Sequence, residues 1–423
     1  MMSKKLIFIL AIFIFTISAQ AQQKFIANLS GLQTVPANNS GGKGVCLFTL
    51  SETETQVTIN CTYSGLSSAR TSYHFHGFAP VGTNAPILFP FGSIPGGTSG
   101  GITAAFSASP QIISAFRANL IYISLRTQNF PDGEIRGQIH VANTAYNDFD
   151  GDGRTDLTVY RSSNNTFYAQ GSLTGGLIER QIGQPGDSVS LTVDFDGDGK
   201  SDFSTARYNS QVLWRIFGSA NGTLQETQWG NSTLGDFFAA GDYDGDGRAD
   251  IAVFRAGVWY IIESSTGNFR YEYFGQSGDA PAPNDFDRDG KADLAVARSE
   301  NGRRVWYVRR SSDNQFYSVQ WGLSSDAFFT GRADWDGDGA ADISVIRSES
   351  GQRVFYILRS SDAQLQIIRW GLASDLVKLG DYDGDGKTDA AVTRTVNGVK
   401  VFFILQSSNA EARYETFGLP GDF

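Results

Sequence analysis

Alternating apolar and polar positions run through residues 24–141 and predict short β-strands. Side chains on a strand point alternately to its two faces, so this pattern leaves one face of each strand apolar. The segments between the strands are dense in Gly, Ser and Thr, as expected for turns. The clearest stretches are 45–51, 56–63, 70–78, 120–126 and 134–141. The pattern therefore predicts an all-β, sandwich-like domain.

The two cysteines lie on two neighbouring predicted strands. If Leu50 faces Val57 across the intervening turn, then Cys46 faces Cys61, and both lie on the apolar face. Cross-strand neighbours are close enough for a disulfide. The alternative is a pair of free buried thiols. For an exported chain the sequence favours the disulfide Cys46–Cys61.

From residue 142 onward the pattern becomes a repeat of 43 to 49 residues. Each unit has an apolar strand that ends in Arg, a second strand, and a third that ends in an aromatic or aliphatic residue plus Gly. A fourth strand precedes the next unit, and we expect the first unit to take its fourth strand from the residues before Asp148. Four strands in such a period are typical of a propeller blade. The six copies predict six blades, with seven as the alternative. The recurring arginines are Arg161, Arg207, Arg255, Arg298, Arg347 and Arg394.

Each unit opens on a nine-residue acidic loop. Asp occupies positions 1, 3, 5 and 9, and a Gly at position 6 permits a sharp turn. Four carboxylates and the carbonyl of position 7 form an oxygen shell that suits Ca²⁺, which takes about six to eight oxygen ligands. We therefore predict about six Ca²⁺ ions per chain. The predicted ligands, loop by loop, are Asp148, Asp150, Asp152, Arg154 and Asp156; Asp194, Asp196, Asp198, Lys200 and Asp202; Asp242, Asp244, Asp246, Arg248 and Asp250; Asp285, Asp287, Asp289, Lys291 and Asp293; Asp334, Asp336, Asp338, Ala340 and Asp342; and Asp381, Asp383, Asp385, Lys387 and Asp389.

Three motifs in the first 141 residues resemble a known family. They are FIANLSGLQTVP at 25–36, HFHG at 74–77 and GEIRGQI at 133–139. In this order they are similar to the CHRD domain, which is common in exported bacterial proteins. Thr34 departs from the family, which usually has an acidic residue before the Val-Pro. The resemblance implies a β-rich module and no particular biochemical activity.

The acidic repeats resemble FG-GAP/VCBS-type repeats, the calcium-binding blades of integrin α-subunits and many bacterial surface proteins. This resemblance implies an integrin α-like propeller and calcium at the loop positions given above. One residue departs from the pattern, because Arg288 stands at position 4 of the fourth loop, where the other loops have Gly. Position 4 is not a ligand, so we expect calcium binding to survive there.

Composition sharpens this interpretation of the loops. The formal net charge of the 423 residues is −10, with 44 acidic residues and 34 Lys and Arg, and the six loops contain 24 of the acids. Most of the acidic residues are therefore predicted metal ligands, and six Ca²⁺ ions would nearly neutralise the chain. A pI of about 4.9 with no basic run argues against a nucleic-acid partner.

The first 21 residues predict a signal peptide. Lys4 and Lys5 precede an apolar run at 6–18, and Ala19-Gln20-Ala21 has the form of a cleavage site. No second long apolar run follows, so we expect a mature chain without a transmembrane segment. The predicted domains are 22–141 and 142–423. The predicted location is secreted or cell-surface, with the periplasm as a further option.

His74 and His76 are one residue apart on a predicted strand and so share a face. His-x-His on a strand can bind Zn or Cu, but the pair can equally be hydrogen-bonded to fix a loop. His140 is the third histidine of the chain, and the sequence places no third ligand near the pair.

Three functions follow from these patterns. The first is an exported, non-catalytic calcium-binding protein whose propeller is a platform for protein or glycan contact, including adhesion. Outside the loops there is no nucleophile elbow, no Cys/His pair and no zinc-helix motif. The second is an extracellular hydrolase or lyase that uses the central face of the propeller. The third is metal or redox chemistry at His74 and His76.

Overall fold

A computed structural model describes residues 24–51, 53–80, 82–91, 95–141, 146–189, 192–331 and 333–423. The predicted signal peptide and its cleavage site lie outside these ranges, as do residues 142–145 of the segment that joins the two predicted domains. Among the described residues, no helix has the length and apolar character needed to cross a membrane.

The described residues between 24 and 141 form nine strands and one α-helix. They are β1 (Lys24–Ser30), β2 (Lys43–Leu50), β3 (Gln56–Ser64), β4 (Arg70–Gly77), β5 (Ile87–Pro90), β6 (Gly100–Ser107), α1 (Pro110–Arg117), β7 (Ile121–Thr127), β8 (Ile135–Gln138) and β9 (His140–Val141), with a 3-10 turn at Gly31–Gln33 after β1. All nine strands belong to one sheet, in the order β5-β4-β7-β8-β1-β2-β3-β6, with β9 beside β1.

This sheet curls over its own apolar face. Residues along β3 are alternately exposed and buried, as the sequence pattern requires. The rings of Phe48 on β2 and Phe75 on β4 are 5.7 Å apart, although three strands separate β2 from β4 in the sheet. Phe89 and Phe106, on the two edge strands, are 4.8 Å apart. The sandwich-like arrangement is thus made from a single continuous sheet.

The register of β2 and β3 is the one that the sequence predicts. Leu50 pairs with Val57, and Cys46 pairs with Cys61, to which it is joined by a disulfide. Both cysteines are fully buried in the core of this domain.

Helix α1 was not predicted from the alternating pattern. The Ser109 hydroxyl accepts the backbone N–H of Ile112, and Pro110 occupies the first turn, so the helix has a normal start. Phe116 packs edge-on against Phe25 and Phe48, at ring distances of 5.3 and 5.8 Å. The helix therefore covers the core where the curled sheet leaves it open.

The described residues from 146 onward form six sheets, the blades of a six-bladed β-propeller. Blade 1 has β10 (Leu157–Arg161), β11 (Thr166–Gln170) and β12 (Leu177–Gln181); blade 2 has β13 (Ser188–Val189), β14 (Phe203–Tyr208), β15 (Val212–Phe217) and β16 (Leu224–Gln228); blade 3 has β17 (Phe237–Phe238), β18 (Ile251–Arg255), β19 (Val258–Ile262) and β20 (Phe269–Tyr273); blade 4 has β21 (Ala280–Pro281), β22 (Leu294–Glu300), β23 (Arg303–Arg309) and β24 (Phe316–Leu323); blade 5 has β25 (Ile343–Glu349), β26 (Gln352–Leu358) and β27 (Leu365–Leu372); and blade 6 has β28 (Leu376–Val377), β29 (Ala390–Val396), β30 (Val399–Leu405) and β31 (Ala412–Thr416). A second 3-10 turn spans Ser232–Leu234.

Blade 1 is completed by residues from two distant parts of the chain. Phe423 exchanges two backbone hydrogen bonds with Tyr160, at 2.7 and 3.1 Å. The carbonyl of Asn147 accepts the N–H of Asp156 at 2.9 Å. We expected this innermost strand from the residues before Asp148 alone. The structure corrects that expectation, because Phe423 provides its first part and thereby closes the ring.

The recurring arginine of each blade pairs with a buried Asp just ahead of the innermost strand. For example, Arg298 donates to both carboxylate oxygens of Asp279, at 2.7 and 2.9 Å, and Asp279 also accepts the backbone N–H of Gln276. These pairs fix the crossing from one blade to the next, because the Asp lies on the connecting segment. The six pairs are Arg161–Asp422, Arg207–Asp187, Arg255–Asp236, Arg298–Asp279, Arg347–Asp326 and Arg394–Asp375.

Candidate metal centres

The acidic loops connect the innermost strand of each blade to the next strand outward. Loop 1 is residues 148–156, loop 2 is 194–202, loop 3 is 242–250, loop 4 is 285–293, loop 5 is 334–342 and loop 6 is 381–389. In loop 3 the turn depends on glycine, since Gly245 and Gly247 have φ values of 82° and 81°. The same topology in every blade places all six loops on one face of the propeller.

The structure brings the predicted carboxylate ligands together. In five loops, three carboxylates each offer one oxygen within 4.8 Å of the others. The cluster comprises positions 1, 3 and 9 in loops 1, 2 and 5, and positions 1, 3 and 5 in loops 3 and 4. In loop 6, burial first and then the charges of Asp385, Asp383 and Asp389 raise the pKa of Asp381, as expected for neighbouring carboxylates.

Backbone N–H groups hold the loop carboxylates in place. The Asp148 carboxylate accepts the N–H groups of Gly151 and Gly153, both at 2.7 Å. Asp156 accepts the N–H of Phe149 at 2.8 Å. Equivalent bonds at positions 1 and 9 recur in all six loops. The acids are thus fixed before any cation arrives, which lowers the cost of ordering them on binding.

At position 7 the predicted ligand is the backbone carbonyl, and the structure shows what holds that residue. Its N–H donates to the carboxylate of position 5 in every loop, for example from Lys291 to Asp289 at 2.8 Å. This bond makes the tight turn that precedes position 9. Coordination by the carbonyls themselves stays a prediction.

A serine that the sequence analysis missed completes each loop. Its N–H donates to the position 9 carboxylate, and its hydroxyl donates to position 5; Ser264, for example, reaches Asp250 at 2.7 Å and Asp246 at 2.9 Å. The sequence does contain a signal, because a serine follows the second long strand in every repeat. The six residues are Ser172, Ser219, Ser264, Ser311, Ser360 and Ser407.

Adjacent loops are hydrogen-bonded into a closed ring. The N–H of position 8 in each loop donates to the carbonyl of position 1 in the preceding loop, as from Ala249 to Asp194 at 2.7 Å. The bond from Thr155 to Asp381, also 2.7 Å, joins loop 1 to loop 6. The remaining donors are Ser201, Ala292, Ala341 and Thr388. Each first ligand is therefore mechanically tied to the loop of its neighbouring blade.

The structure explains why Arg288 departs from the repeat. At four of the other junctions, the basic side chain at position 7 lies over the position 4 Gly of the preceding loop, as Lys291 lies over Gly245. Loop 5 has Ala340 at position 7, and Arg288 from loop 4 instead makes an ion pair with Asp338 of loop 5. At this junction the basic side chain is therefore at position 4 of loop 4 rather than at position 7 of loop 5. Arg288 accepts a φ of 69° at this glycine position.

We predict that the residues at positions 288 and 340 are energetically coupled. Ala340→Arg alone should lower the free energy of unfolding by about 1–3 kcal/mol, because a long cation enters a 1 % exposed site beside Arg288. Adding Arg288→Gly should recover most of this loss, because it recreates the arrangement of the other junctions. Urea unfolding of both single variants and the double variant at saturating Ca²⁺ measures the coupling. Purely additive effects would contradict it.

Burial raises the pKa of several loop carboxyls, and other acids of the same loop raise it further. The pKa of Asp156 rises to about 7, first through burial and then through the charge of Asp150. The pKa values of Asp293 and Asp342 also rise to about 7, with burial as the main cause. A cation between these carboxylates would favour their ionised forms and displace the protons.

We predict that the protein stripped of divalent cations loses stability as the pH rises. Acids such as Asp156 and Asp293, with folded pKa values of about 7, hold protons that the unfolded chain releases near pH 4. Their contribution to stability is complete below about pH 4 and is lost as the pH rises through about 7. The melting temperature of the stripped protein should therefore fall between about pH 4 and 7, and saturating Ca²⁺ should abolish the fall. A flat profile without cations would contradict the raised pKa values.

The first domain lies directly on the loop face of the propeller. Lys24 Nζ donates to the carbonyl of Gly197 at 2.7 Å, and Gln33 Nε2 donates to that of Gly384 at 3.0 Å. Asn119 Nδ2 donates to the carbonyl of Gly337 at 3.4 Å. All three acceptors are position 4 carbonyls, in loops 2, 6 and 5. In loop 1, a Cβ added at position 6 would be 2.9 Å from Ile26.

The three histidines fall into two places. The rings of His74 and His76 are 6.1 Å apart on the same face of β4. His140 lies elsewhere, on β9, where it packs against Gly386 of loop 6. The structure therefore does not bring His140 to the pair as a third ligand.

Comparison with known proteins gives two family matches. Residues 25–139 match the CHRD domain, and residues 194–253 and 285–345 match the FG-GAP-like repeat. No curated protein matches the chain.

Solved structures with a similar course of the chain include a triple arginine-to-alanine variant of AofleA from Arthrobotrys oligospora. It has 10% identity and a TM-score of 0.42 over 72% of this chain and 84% of that one. The NanB sialidase from Streptococcus pneumoniae has 9% identity and a TM-score of 0.30 over 94% and 95%. At these scores the likenesses carry no argument about function.

The two family matches and the fold together identify the parts of the chain. Residues 25–139 are a CHRD domain, and the chain continues into FG-GAP-like repeats within a six-bladed β-propeller.

Proposed function

We propose that this is an exported, non-catalytic calcium-binding protein whose propeller is a platform for contact with a protein or glycan. The observation that carries the proposal is the ring of six acidic loops, in five of which three buried or half-buried carboxylates each have one oxygen within 4.8 Å of the others. Like charges at such distances repel strongly unless a cation or protons neutralise them.

The chemistry of the loops fits a hard divalent cation. Every predicted ligand is an oxygen, and the carboxylates at positions 1, 3, 5 and 9 are already oriented by N–H and serine donors. Carboxylate-rich oxygen sets select Ca²⁺ over the transition metals, which prefer nitrogen and sulfur. The bound ion would cross-link the inner and outer turns of each blade and so stiffen the propeller.

Two features support a role in contact rather than catalysis. The CHRD domain lies on the loop face, where the acidic residues are concentrated. The outer strands of blades 3 and 4 present exposed aromatic side chains, with Phe269, Tyr271, Tyr273 and Phe316 between 53% and 70% exposed. Exposed aromatic groups of this kind mark surfaces that bind proteins or stack on sugars. The disulfide and the predicted signal peptide support an exported location.

The deciding experiment is the calcium stoichiometry of the purified full chain, by elemental analysis and calorimetric titration. We expect about six Ca²⁺ per chain, with dissociation constants of roughly 10⁻⁴ to 10⁻³ M, as in extracellular modules. The double variant Asp242→Asn with Asp250→Asn should lose one ion. Asp362→Asn, an exposed acid outside the loops, is the matched control and should lose none. Fewer than three ions in the wild-type protein would overturn the proposal.

A further inference from the structure

The CHRD domain contains a cluster of basic side chains on one face of its sheet, away from the apolar core. In the register of β4, β7 and β8, His76 pairs with Tyr122, His74 with Ser124, and Ser124 with Arg136. Arg126 pairs with Ser72, two residues from His74, and so shares this face. The basic cluster is therefore His74, His76, Arg126 and Arg136.

Two members of this cluster are buried and two, His74 and Arg126, are half-buried, and neither arginine has an acidic partner among the described residues. His76 is 7% exposed and Arg136 is 3% exposed, and no carboxylate makes an ion pair with either arginine in that part of the chain. Four nitrogens are buried without a hydrogen-bond partner within the described ranges: His74 Nδ1, His76 Nε2, Arg126 Nε and Arg136 Nη1.

The surrounding contacts hold the cluster in a fixed orientation. His76 Nδ1 bonds to the carbonyl of Ala85 at 2.9 Å, which leaves Nε2 on the other side of the ring for another partner. The ring of Tyr122 stacks on His76 at 4.8 Å, and the Arg136 guanidinium lies 3.6 Å from the Tyr122 centroid. Arg136 also donates to the carbonyl of Thr83 at 3.0 Å. These side chains are thus stacked across three strands rather than free to turn towards solvent.

Buried charges in proteins are normally paired, because an unpaired one has lost its hydration without compensation. Two arginines beside the histidine pair disfavour a metal cation, which they would repel. An anion, in contrast, would accept hydrogen bonds from the arginines and from the imidazoles once they are protonated, and it would balance the charge. Arginine is particularly suited to oxyanions, because its planar group can form two parallel hydrogen bonds. We propose that His74, His76 and Arg126 form a binding site for a small oxyanion, with Arg136 adding positive charge from the β8 side.

Protonation of the two histidines should be linked to anion binding at this site. Burial, and then the positive charge of Arg126, lowers the pKa of His74, and burial also lowers that of His76. The groups that face the pair are Tyr122 and Arg126 on β7, Arg136 and Gln138 on β8, and the carbonyl of Ala85. A bound anion would favour the protonated imidazoles, so its affinity should rise as the pH falls.

Histidine NMR provides a direct test, because the chain has only three histidines. The full chain, labelled with ¹³C at His Cε1 and held at 1 mM Ca²⁺, is titrated separately with sodium sulfate and sodium acetate. Saturable shifts of the His74 and His76 signals, with His140 unmoved, are expected with at least one anion. A response to sulfate identifies a tetrahedral oxyanion, and a response to acetate alone identifies a carboxylate. The half-saturating concentration should fall at least threefold between about pH 7.5 and 6.

Arg126→Gln should raise the half-saturating anion concentration at least tenfold. Lys43→Gln removes one exposed positive charge from the same domain and should leave it unchanged. The wild-type pH series does not depend on how the variant folds. Absence of any saturable shift in the wild-type protein, or equal anion affinity in Arg126→Gln, would overturn the proposal. So would stoichiometric Cu²⁺ or Zn²⁺ binding that shifts the same two signals.

Discussion

Removal of divalent cations should lower the melting temperature of the propeller by about 15–30 °C. At Ca²⁺ concentrations near ten times the dissociation constant, each site adds about 1.4 kcal/mol to the stability of the folded state. Six independent sites would add about 8 kcal/mol, which is comparable with the total stability of a typical domain. For a domain of this size, each kcal/mol corresponds to roughly 2–4 °C. The crowded carboxylates add repulsion once the cations have gone.

Scanning calorimetry of the full chain with and without chelator measures this shift, and re-addition of Ca²⁺ should restore the original transition. The loop 3 variant Asp242→Asn with Asp250→Asn should show a smaller shift on chelation, because it has one site fewer. The exposed control Asp362→Asn should match the wild-type protein. An unchanged melting temperature in chelator would contradict a structural role for calcium.

Cation binding should also control how firmly the CHRD domain sits on the propeller. Lys24, Gln33 and Asn119 donate to position 4 carbonyls of three loops, so these bonds require ordered loops. Chelation should loosen the contact and increase the radius of gyration measured by X-ray scattering. Linkage is reciprocal, so weakening the contact should weaken cation binding by the contacted loops, by about five- to tenfold for a coupling of roughly 1–1.5 kcal/mol.

Terbium luminescence can test this coupling one loop at a time. Trp335 is position 2 of loop 5 and donates its backbone N–H to the Asp342 carboxylate, so it reports on cation binding in a contacted loop. A matched reporter in loop 3 is Tyr243→Trp in a Trp335→Phe background. Lys24→Ala with Asn119→Gly removes two of the donors, and glycine suits the φ of 51° at Asn119. The pair should weaken terbium binding in loop 5 more than in loop 3. Equal effects in the two loops would refute the coupling.

Features that depend on short-range order could be predicted from the amino-acid pattern. The period of the acidic loops predicted six blades, because each loop, strand and glycine mark lies within one repeat. The register Cys46–Cys61 followed from the alternation of two strands joined by a short turn. His74 and His76 share a face for the same reason, since side chains in a strand have a period of two.

Contacts between residues that are distant in the chain became visible in the folded structure alone. Helix α1 carries no alternating pattern, and its place follows from the opening that the curled sheet leaves over Phe25 and Phe48. Phe423 completes blade 1 because the ring closes there, although it is 263 residues from Tyr160. In the sequence, Arg288 is an isolated departure from the glycine of the other loops. Its partner Asp338 lies 50 residues later in the chain.

The sequence also could not predict the basic cluster as a whole or the position of the CHRD domain on the loops. The basic cluster joins side chains from different strands. The CHRD domain binds backbone carbonyls, which every residue has, so no sequence pattern marks this contact. Local periodicity thus determined the repeats and their candidate ligands. Periodicity does not encode packing between segments that are far apart in the chain. Such packing produces the hydrogen-bonded ring of loops, the position of the CHRD domain, and the two arginines that have no acidic partner among the described residues.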